Sequence, residues 1–381
     1  MNRTRVLFVL ASLAGGGAER VSVNLVRALD RERFAPALAI VGGRGYYSNL
    51  IPEDVPTYYL NARRVRYSTP ALSRLVRRIK PDIVFSTAPH VDAVVCLATA
   101  LSLRRPKLVL RSPNLLSASL FRGSRGVPLL PAWSYSRADV VVATTQAMRM
   151  DLAANFRVPK NKMVVIPNPV DIGLVERLCS EPCRHAWFQR GTADPRPTAA
   201  AVGSLERQKD YASLLRAFSL VVKEIPARLA ILGEGSLCEE LKALVASLGI
   251  GSEVAFLGFQ KNPFTYLARS DVFVLSSLWE GFPNVLVEAM ACAVPVVATD
   301  CRSGPDEIIS HQVDGLLVPP GDVESLASAI LTVLRDPDLA ARLAQNGRAR
   351  VNRFDAARIV QEYEGVFRGV LSHDVVARDG D

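Results

Sequence analysis

Short runs of Val, Ile, Leu and Ala recur along this chain. Each is followed by a turn rich in glycine or polar residues and then by a stretch with helical spacing. Runs that are apolar throughout, without alternation, mark strands buried on both faces, as in a parallel sheet. The pattern predicts strands at Arg5–Leu10, Ala35–Val41, Ile83–Ser86, Lys107–Arg111, Asp139–Ala143 and Lys162–Ile166. The series then restarts, with strands predicted at Thr198–Val202, Arg228–Leu232, Val254–Leu257, Asp271–Leu275, Pro295–Ala298 and Gly315–Val318. Helical segments lie between them, as right-handed βαβ units require. The expected fold class is α/β, with two Rossmann-like, doubly wound domains in series.

The break between the two series is readable too. Pro167-Asn168-Pro169 bars both regular helix and interior strand, and Cys179–Pro197 is polar and proline-bearing. This predicts an N-terminal domain over 1–170, a linker over 171–196 and a C-terminal domain over 197–355. A last helix begins near Ala356 and is placed to cross back to the first domain, with a frayed tail to residue 381.

Length and composition fit that picture: 381 residues, of which 49% are hydrophobic and 22% charged, describe a soluble enzyme with a large core. No apolar run is long enough to span a bilayer. The first predicted strand is too short for a signal-peptide core. Six scattered cysteines make no disulfide framework, so a cytoplasmic, reduced setting is expected. Cys179, Cys183 and His185 lie close together but lack a fourth zinc ligand, and no metal is expected. Charge is unevenly placed. Met1–Val170 holds 25 Lys and Arg against 9 Asp and Glu, a balance of +16, and the remainder carries −7. Nucleic acid, an anionic membrane surface and an anionic substrate are the partner classes such asymmetry allows.

The chemistry-bearing residues cluster in the turns that follow strands. At Ser276–Asp300 a buried strand runs into the turn Glu280-Gly281-Phe282-Pro283-Asn284 and then a helix that carries Glu288. Such a turn aims free N–H groups and the positive end of the helix dipole at a ligand, while carboxylates bind sugar hydroxyls. Gly15-Gly16-Gly17 follows the first strand and allows close approach of phosphate or sugar. It lacks the G-x-G-x-x-G spacing, and no acidic residue clearly ends the second strand, which disfavours a nicotinamide cofactor. Lys209, with Arg207 close by, is placed to neutralise a diphosphate, and Gly233 to admit a ring against bare backbone. His90 lies just past a strand's carboxyl end, where open α/β sheets bind ligands.

Taken in order, ASLAGGGAERV, VVIPNPVD, VGSLERQKDYASLLRAF, LAILGEGSLCEELKALV, VAFLGF, SSLWEGFPNVLVEAMACAVPVVATD, SGPDEII and DGLLVPPGD cover nearly the whole chain. The ordered set resembles the family 4 glycosyltransferases, retaining enzymes of the GT-B fold in which two Rossmann-like domains face a cleft. The resemblance implies a nucleotide sugar bound mainly by the C-terminal domain and an acceptor bound mainly by the basic one. It assigns Lys209 to the donor diphosphate, Glu288 to the ribose hydroxyls and Glu280 to the transferred sugar. The backbone of Gly281, Phe282, Pro283 and Asn284 would cradle sugar and phosphate. Gly15 and Gly16 would approach the diphosphate, and His90 would lie near the anomeric carbon. Family members commonly read Gly-Arg-Leu where this chain has Gly203-Ser204-Leu205, so the usual arginine partner of Lys209 is missing and Arg207 is the candidate replacement.

No carboxylate is evidently placed beneath the sugar ring as a nucleophile, which disfavours double displacement, and the resemblance implies front-side transfer. No Asp-x-Asp motif stands in a donor loop, and GT-B relatives imply no bound metal or other cofactor. The resemblance of the Trp279–Asn284 turn and Ser303-Gly304-Pro305 to members that use UDP-sugars implies UDP as the nucleotide. Arg63, Arg64, Arg66, Arg74, Arg77, Arg78 and Lys80, with the mixed basic and apolar segment Leu115–Trp133, suit peripheral contact with an anionic inner membrane and a lipid-linked saccharide acceptor. These charges lack interleaved aromatics, and nucleic acid is disfavoured. The alternatives are a nucleotide-sugar 2-epimerase of the same architecture and a non-catalytic partner subunit of a sugar-transfer complex.

Overall fold

The computed structural model describes residues 3–14, 17–102, 105–115, 117, 129–183, 185–189 and 196–372. It divides into two compact units, one formed by Met1–Val170 with the chain from Phe354 onward, the other by Asp171–Arg353.

The first unit is built on a seven-stranded sheet of order β3-β2-β1-β4-β5-β6-β7, parallel throughout. Its strands are β1 (Thr4–Leu10), β2 (Phe34–Ile40), β3 (Thr57–Tyr59), β4 (Ile83–Ser86), β5 (Lys107–Ser112), β6 (Val140–Ala143) and β7 (Met163–Val165). Edge strand β3 is not among the predicted strands, because three half-buried residues leave no apolar run to recognise. Along β1 the two faces serve different cores. Val6, Phe8 and Leu10 pack with the helices Gly17–Ala28 and Ala356–Ser372, whereas Leu7 and Val9 pack with Thr69–Ile79 and Pro89–Ala100. Both faces being covered explains why the strand reads as a continuous apolar run.

The last helix belongs to this unit. Ile359, Val360, Tyr363, Phe367 and Val370 form its apolar stripe, and the Phe367 ring lies 6.0 Å from Phe85 and 6.1 Å from Phe34, centroid to centroid. Beyond the same sheet, the wholly buried Arg111 at the end of β5 donates to Asn168 Oδ1. The Pro167-Asn168-Pro169 segment is thereby held by a side chain from the first unit.

The second unit has a six-stranded parallel sheet of order β10-β9-β8-β11-β12-β13. These strands are β8 (Thr198–Val202), β9 (Arg228–Leu232), β10 (Val254–Gly258), β11 (Val272–Leu275), β12 (Val296–Thr299) and β13 (Leu316–Val318). The expected linker over 171–196 is corrected by the structure, since its described part is folded into this unit. Asp171 caps the helix Ile172–Cys179 by accepting from Leu174 N at 2.9 Å, and Ile172 and Val175 are buried. Phe188 packs 5.2 Å from Tyr266 and against Ala230 and Leu232. These few apolar anchors are spaced too far apart to register as an element in a proline-bearing stretch.

Candidate functional site

In an open parallel sheet, ligands bind beyond the carboxyl ends of the strands, where the strand order reverses. In the second sheet that point lies between β8 and β11. The two loops leaving these strands are Gly203–Asp210 and Ser276–Pro283, and they carry Lys209 and Glu280. The fold therefore brings together two residues 71 positions apart.

Their geometry is tight. Lys209 Nζ stands 2.5 Å from Glu280 Oε1, with the side chains only 15% and 7% exposed. The Ser277 hydroxyl donates to the same carboxylate oxygen at 2.6 Å, and Gln208 Nε2 approaches Oε2 at 3.4 Å. Backbone ties lock the loops to each other: Leu278 N donates to Gln208 O at 2.8 Å, Gln208 Nε2 to Trp279 O at 2.9 Å, and Ser276 Oγ to Lys209 O at 2.7 Å. A buried carboxylate is stable only when paired and hydrogen-bonded, and Glu280 is both. Its charge in turn reaches its neighbours. Burial first, and Glu280 second, push the Cys301 thiol up to about 12 and raise the Tyr211 phenol.

A third loop supports the turn. Thr299 Oγ1, at the end of β12, donates to Ser277 O at 2.6 Å, and Ser303 Oγ donates to Gly281 O at 3.1 Å. Ser303 and Gly304 have φ of +74° and +103°. A Cβ on Gly304 would meet Pro283 Cδ at 2.7 Å, so only glycine lets this loop press against the turn. Gln208, Ser277, Thr299 and Ser303 were not among the sequence candidates. The one available signal was the run of small polar residues at strand ends.

Gly281, Phe282 and Pro283 are buried, and the helix Asn284–Ala291 starts directly after them, with Leu286 N donating to Pro283 O at 2.9 Å. Glu288 lies within that helix and is 4% exposed. Arg207 opens the short 3₁₀ turn Arg207–Lys209 and is exposed, as is Ser204. Gly233 has φ +140°, which side-chain-bearing residues rarely adopt, and a Cβ there would collide with the Gly203 carbonyl oxygen. Close backbone packing between the two loops therefore itself requires glycine at this position.

In the first unit the order reverses between β1 and β4. His90 is exposed at the second position of the helix Pro89–Ala100, just past β4. Two residues on, Asp92 is wholly buried. Burial pushes its carboxyl up to about 8, opposed by the Ser86 hydroxyl and the backbone at Ala88. Gly15 and Gly16, with Phe121, Arg122 and Arg125 of the basic and apolar segment, lie outside the described residues. Among the described residues no helix is long and apolar enough to cross a membrane.

Comparison with known proteins places this geometry. Residues 15–174 match the Glycosyltransferase Family 4 model and residues 185–350 the Glycosyl transferases group 1 model. An uncharacterized glycosyltransferase of Methanocaldococcus jannaschii is 31% identical over 337 residues, 78% of this chain and 82% of that one. The chain belongs to the family 4 glycosyltransferases. A Rhizobium meliloti lipopolysaccharide core biosynthesis glycosyltransferase, LpsD, is 30% identical over 93% of this chain and 96% of its own. An N-acetylgalactosaminyltransferase of Campylobacter jejuni, named for acting on an N-acetylgalactosamine-N,N'-diacetylbacillosaminyl-diphospho-undecaprenol, is 27% identical over 92% of this chain and 96% of its own. Among solved structures, Anabaena HepE in complex with UDP-glucose superposes with a TM-score of 0.82 at 22% identity, covering 96% of this chain and all of that one. The glycosyltransferase fold is GT-B, and the chain is a glycosyltransferase enzyme.

Proposed function

We propose that this glycosyltransferase is retaining and moves a hexose or N-acetylhexosamine from a UDP-sugar to a lipid-linked saccharide at an anionic membrane surface. The observation that carries the reading is the Lys209–Glu280 pair at the switch point of the second sheet. Lys209, paired with Glu280 in the turn that leads into the helix Asn284–Ala291, suits a leaving diphosphate, whose growing charge the cation and the helix dipole would both stabilise. Glu280 is engaged by Lys209, Ser277 and Gln208. A carboxylate so held serves as an anchor for sugar hydroxyls better than as a free nucleophile, which favours front-side transfer with the diphosphate accepting the acceptor's proton. Glu288 takes the ribose, the Gly281–Asn284 backbone takes sugar and phosphate, and Gly233 lines the nucleotide side. His90, Gly15 and Gly16 act from the first unit. Arg207 stands in for the arginine absent at Ser204. With Lys209 and helix N–H groups supplying positive charge, the proposed reaction needs no metal or other cofactor.

Names of relatives support the acceptor class: a diphospho-undecaprenol saccharide in one, lipopolysaccharide core in another. The surface supports the membrane. Arg63, Arg64, Arg66, Arg74, Arg77, Arg78 and Lys80 are all exposed. The adjoining helix Pro89–Ala100 exposes Leu97, with Leu101 just past its end, and the helix packed on it in turn, Leu129–Arg137, exposes Leu130 and Trp133. Basic and apolar groups side by side are what an interfacial surface needs. Nucleic acid is not a proposed partner.

A screen of UDP- and GDP-sugars with and without lipid-linked saccharides tests the whole reading. UDP release that requires the acceptor, gives a product of retained configuration and survives excess chelator is expected. Acceptor-independent release of free UDP would indicate an epimerase, and loss of activity in chelator would sink the metal-free route. Glu280→Ala should lose turnover more than nucleotide affinity, and Glu288→Ala chiefly affinity. Equal losses in both would refute that division of roles. If Arg207→Ala leaves donor affinity and turnover intact, Arg207 is no replacement for the arginine. Equal sedimentation with neutral and anionic vesicles would refute the membrane contact.

A further inference from the structure

Away from the Lys209–Glu280 site, the second unit holds a pair of thiols with no part in sugar transfer. Cys179 ends the helix Ile172–Cys179, and Cys292 is the C-cap of the helix Asn284–Ala291. Their sulfurs share a hydrogen bond at 3.2 Å, although the residues lie 113 positions apart. Cys179, together with Ser180, Cys183, Phe188 and Arg269, lines an open cavity of about 580 Å³, whereas Cys292 does not reach it. Arg269 Nη1 donates to the Cys179 carbonyl at 3.2 Å and Nη2 to Glu181 O at 2.9 Å, which fixes a cation beside the cavity wall. Both cysteines are half-buried, but of the two only Cys179 lines the cavity from which a co-reactant would approach.

We propose that Cys179 and Cys292 form a thiol–disulfide exchange site whose co-reactant is a small disulfide, the oxidised form of a low-molecular-weight thiol. The Cys179 thiolate attacks one sulfur of that disulfide from the cavity. The small S–S bond breaks, one thiol leaves with a proton from solvent, and a mixed disulfide remains on Cys179. Cys292 then loses its proton to solvent and attacks the Cys179 sulfur, expelling the second thiol. Two protein thiols are oxidised and one small disulfide is reduced to two thiols. Closure shortens the sulfur separation from 3.2 Å to a bond of about 2.0 Å. It ties the end of the helix bearing Glu288 to the helix that opens the second unit.

The surroundings favour Cys179 as the attacking group. The hydrogen bond shared with Cys292 holds the Cys179 thiol below its ordinary value against the opposing effect of burial, with a smaller contribution from Arg269, and so favours the thiolate. Burial instead pushes Cys96 and Cys301 up to about 12 and leaves both inert. Cys183 also lines the cavity, which makes it the competing partner to be distinguished.

The test exposes the reduced full chain to oxidised glutathione, blocks remaining thiols and maps the products by mass spectrometry. The expected product has lost two hydrogens, contains a linked Cys179–Cys292 peptide and reverts in excess dithiol. Cys292→Ser should stop at a glutathione adduct on Cys179, and Cys183→Ser should behave as the parent protein. A parent protein that stops at the adduct, or a Cys179–Cys183 link, would overturn the proposal. This outcome is independent of whether sugar transfer is observed.

Discussion

The Ser303 hydroxyl donates to the carbonyl oxygen of Gly281 at 3.1 Å, from a residue held at φ +74°. A serine in the left-handed region costs roughly 1–3 kcal/mol and persists only where surrounding contacts over-determine it. Here the turn after Glu280 is what it supports. Ser303→Ala should lower stability by about 1 kcal/mol through the lost hydrogen bond and reduce donor turnover several-fold. Urea unfolding and initial rates check both. Unchanged turnover with reduced stability would make Ser303 a fold residue only.

Lys209 and Glu280 allow stability and chemistry to be separated. Lys209→Ala strands a buried carboxylate, which costs about 3–5 kcal/mol. Adding Glu280→Gln removes the stranded charge and should recover much of that loss, while activity stays absent. A double variant no more stable than the single one would show that the pair is not electrostatically coupled.

Asp92 predicts a pH dependence. Its folded carboxyl, at about 8, lies above its ordinary value, so between about pH 4 and pH 8 the folded state keeps a proton that the unfolded chain gives up. Stability from this group is full below that window and falls as pH rises through it, by at most about 1.4 kcal/mol per pH unit. Asp92→Asn should flatten the decline, read from urea midpoints between pH 5 and pH 9. Parallel curves for the parent and the variant would rule Asp92 out as the titrating group.

Phe367 tests the last helix. Its ring meets Phe8, Phe34, Phe85 and Tyr363 in edge-on or tilted contacts. Phe367→Ala should cost about 3–5 kcal/mol and lower the thermal midpoint of the first unit. A shift below one degree would mean the helix adds little to that core.

Each strand that follows a short apolar run was legible from the sequence to within a residue or two, because burial on both faces is written locally in residue type. The turns at Lys209, Glu280 and His90 were legible for the same reason, since a polar break after an apolar run marks a strand's carboxyl end. Local pattern carries no strand order, and strand order is what sets Lys209 and Glu280 2.5 Å apart at a switch point. The supports at Gln208, Ser277, Thr299 and Ser303 were hidden because each acts through one hydrogen bond to a distant loop. The packing of Gly233 against the Gly203 carbonyl was equally hidden, because it joins two loops about thirty residues apart in sequence. The segment after Asp171 read as linker because Ile172, Val175 and Phe188 become a core only once Ala230, Leu232 and Tyr266 are brought to them. The sequence by itself determined the elements and the residue types at their ends. Only tertiary packing decided which of those ends meet, because the apolar pattern is local in sequence and burial is non-directional, whereas a site depends on contacts between distant loops.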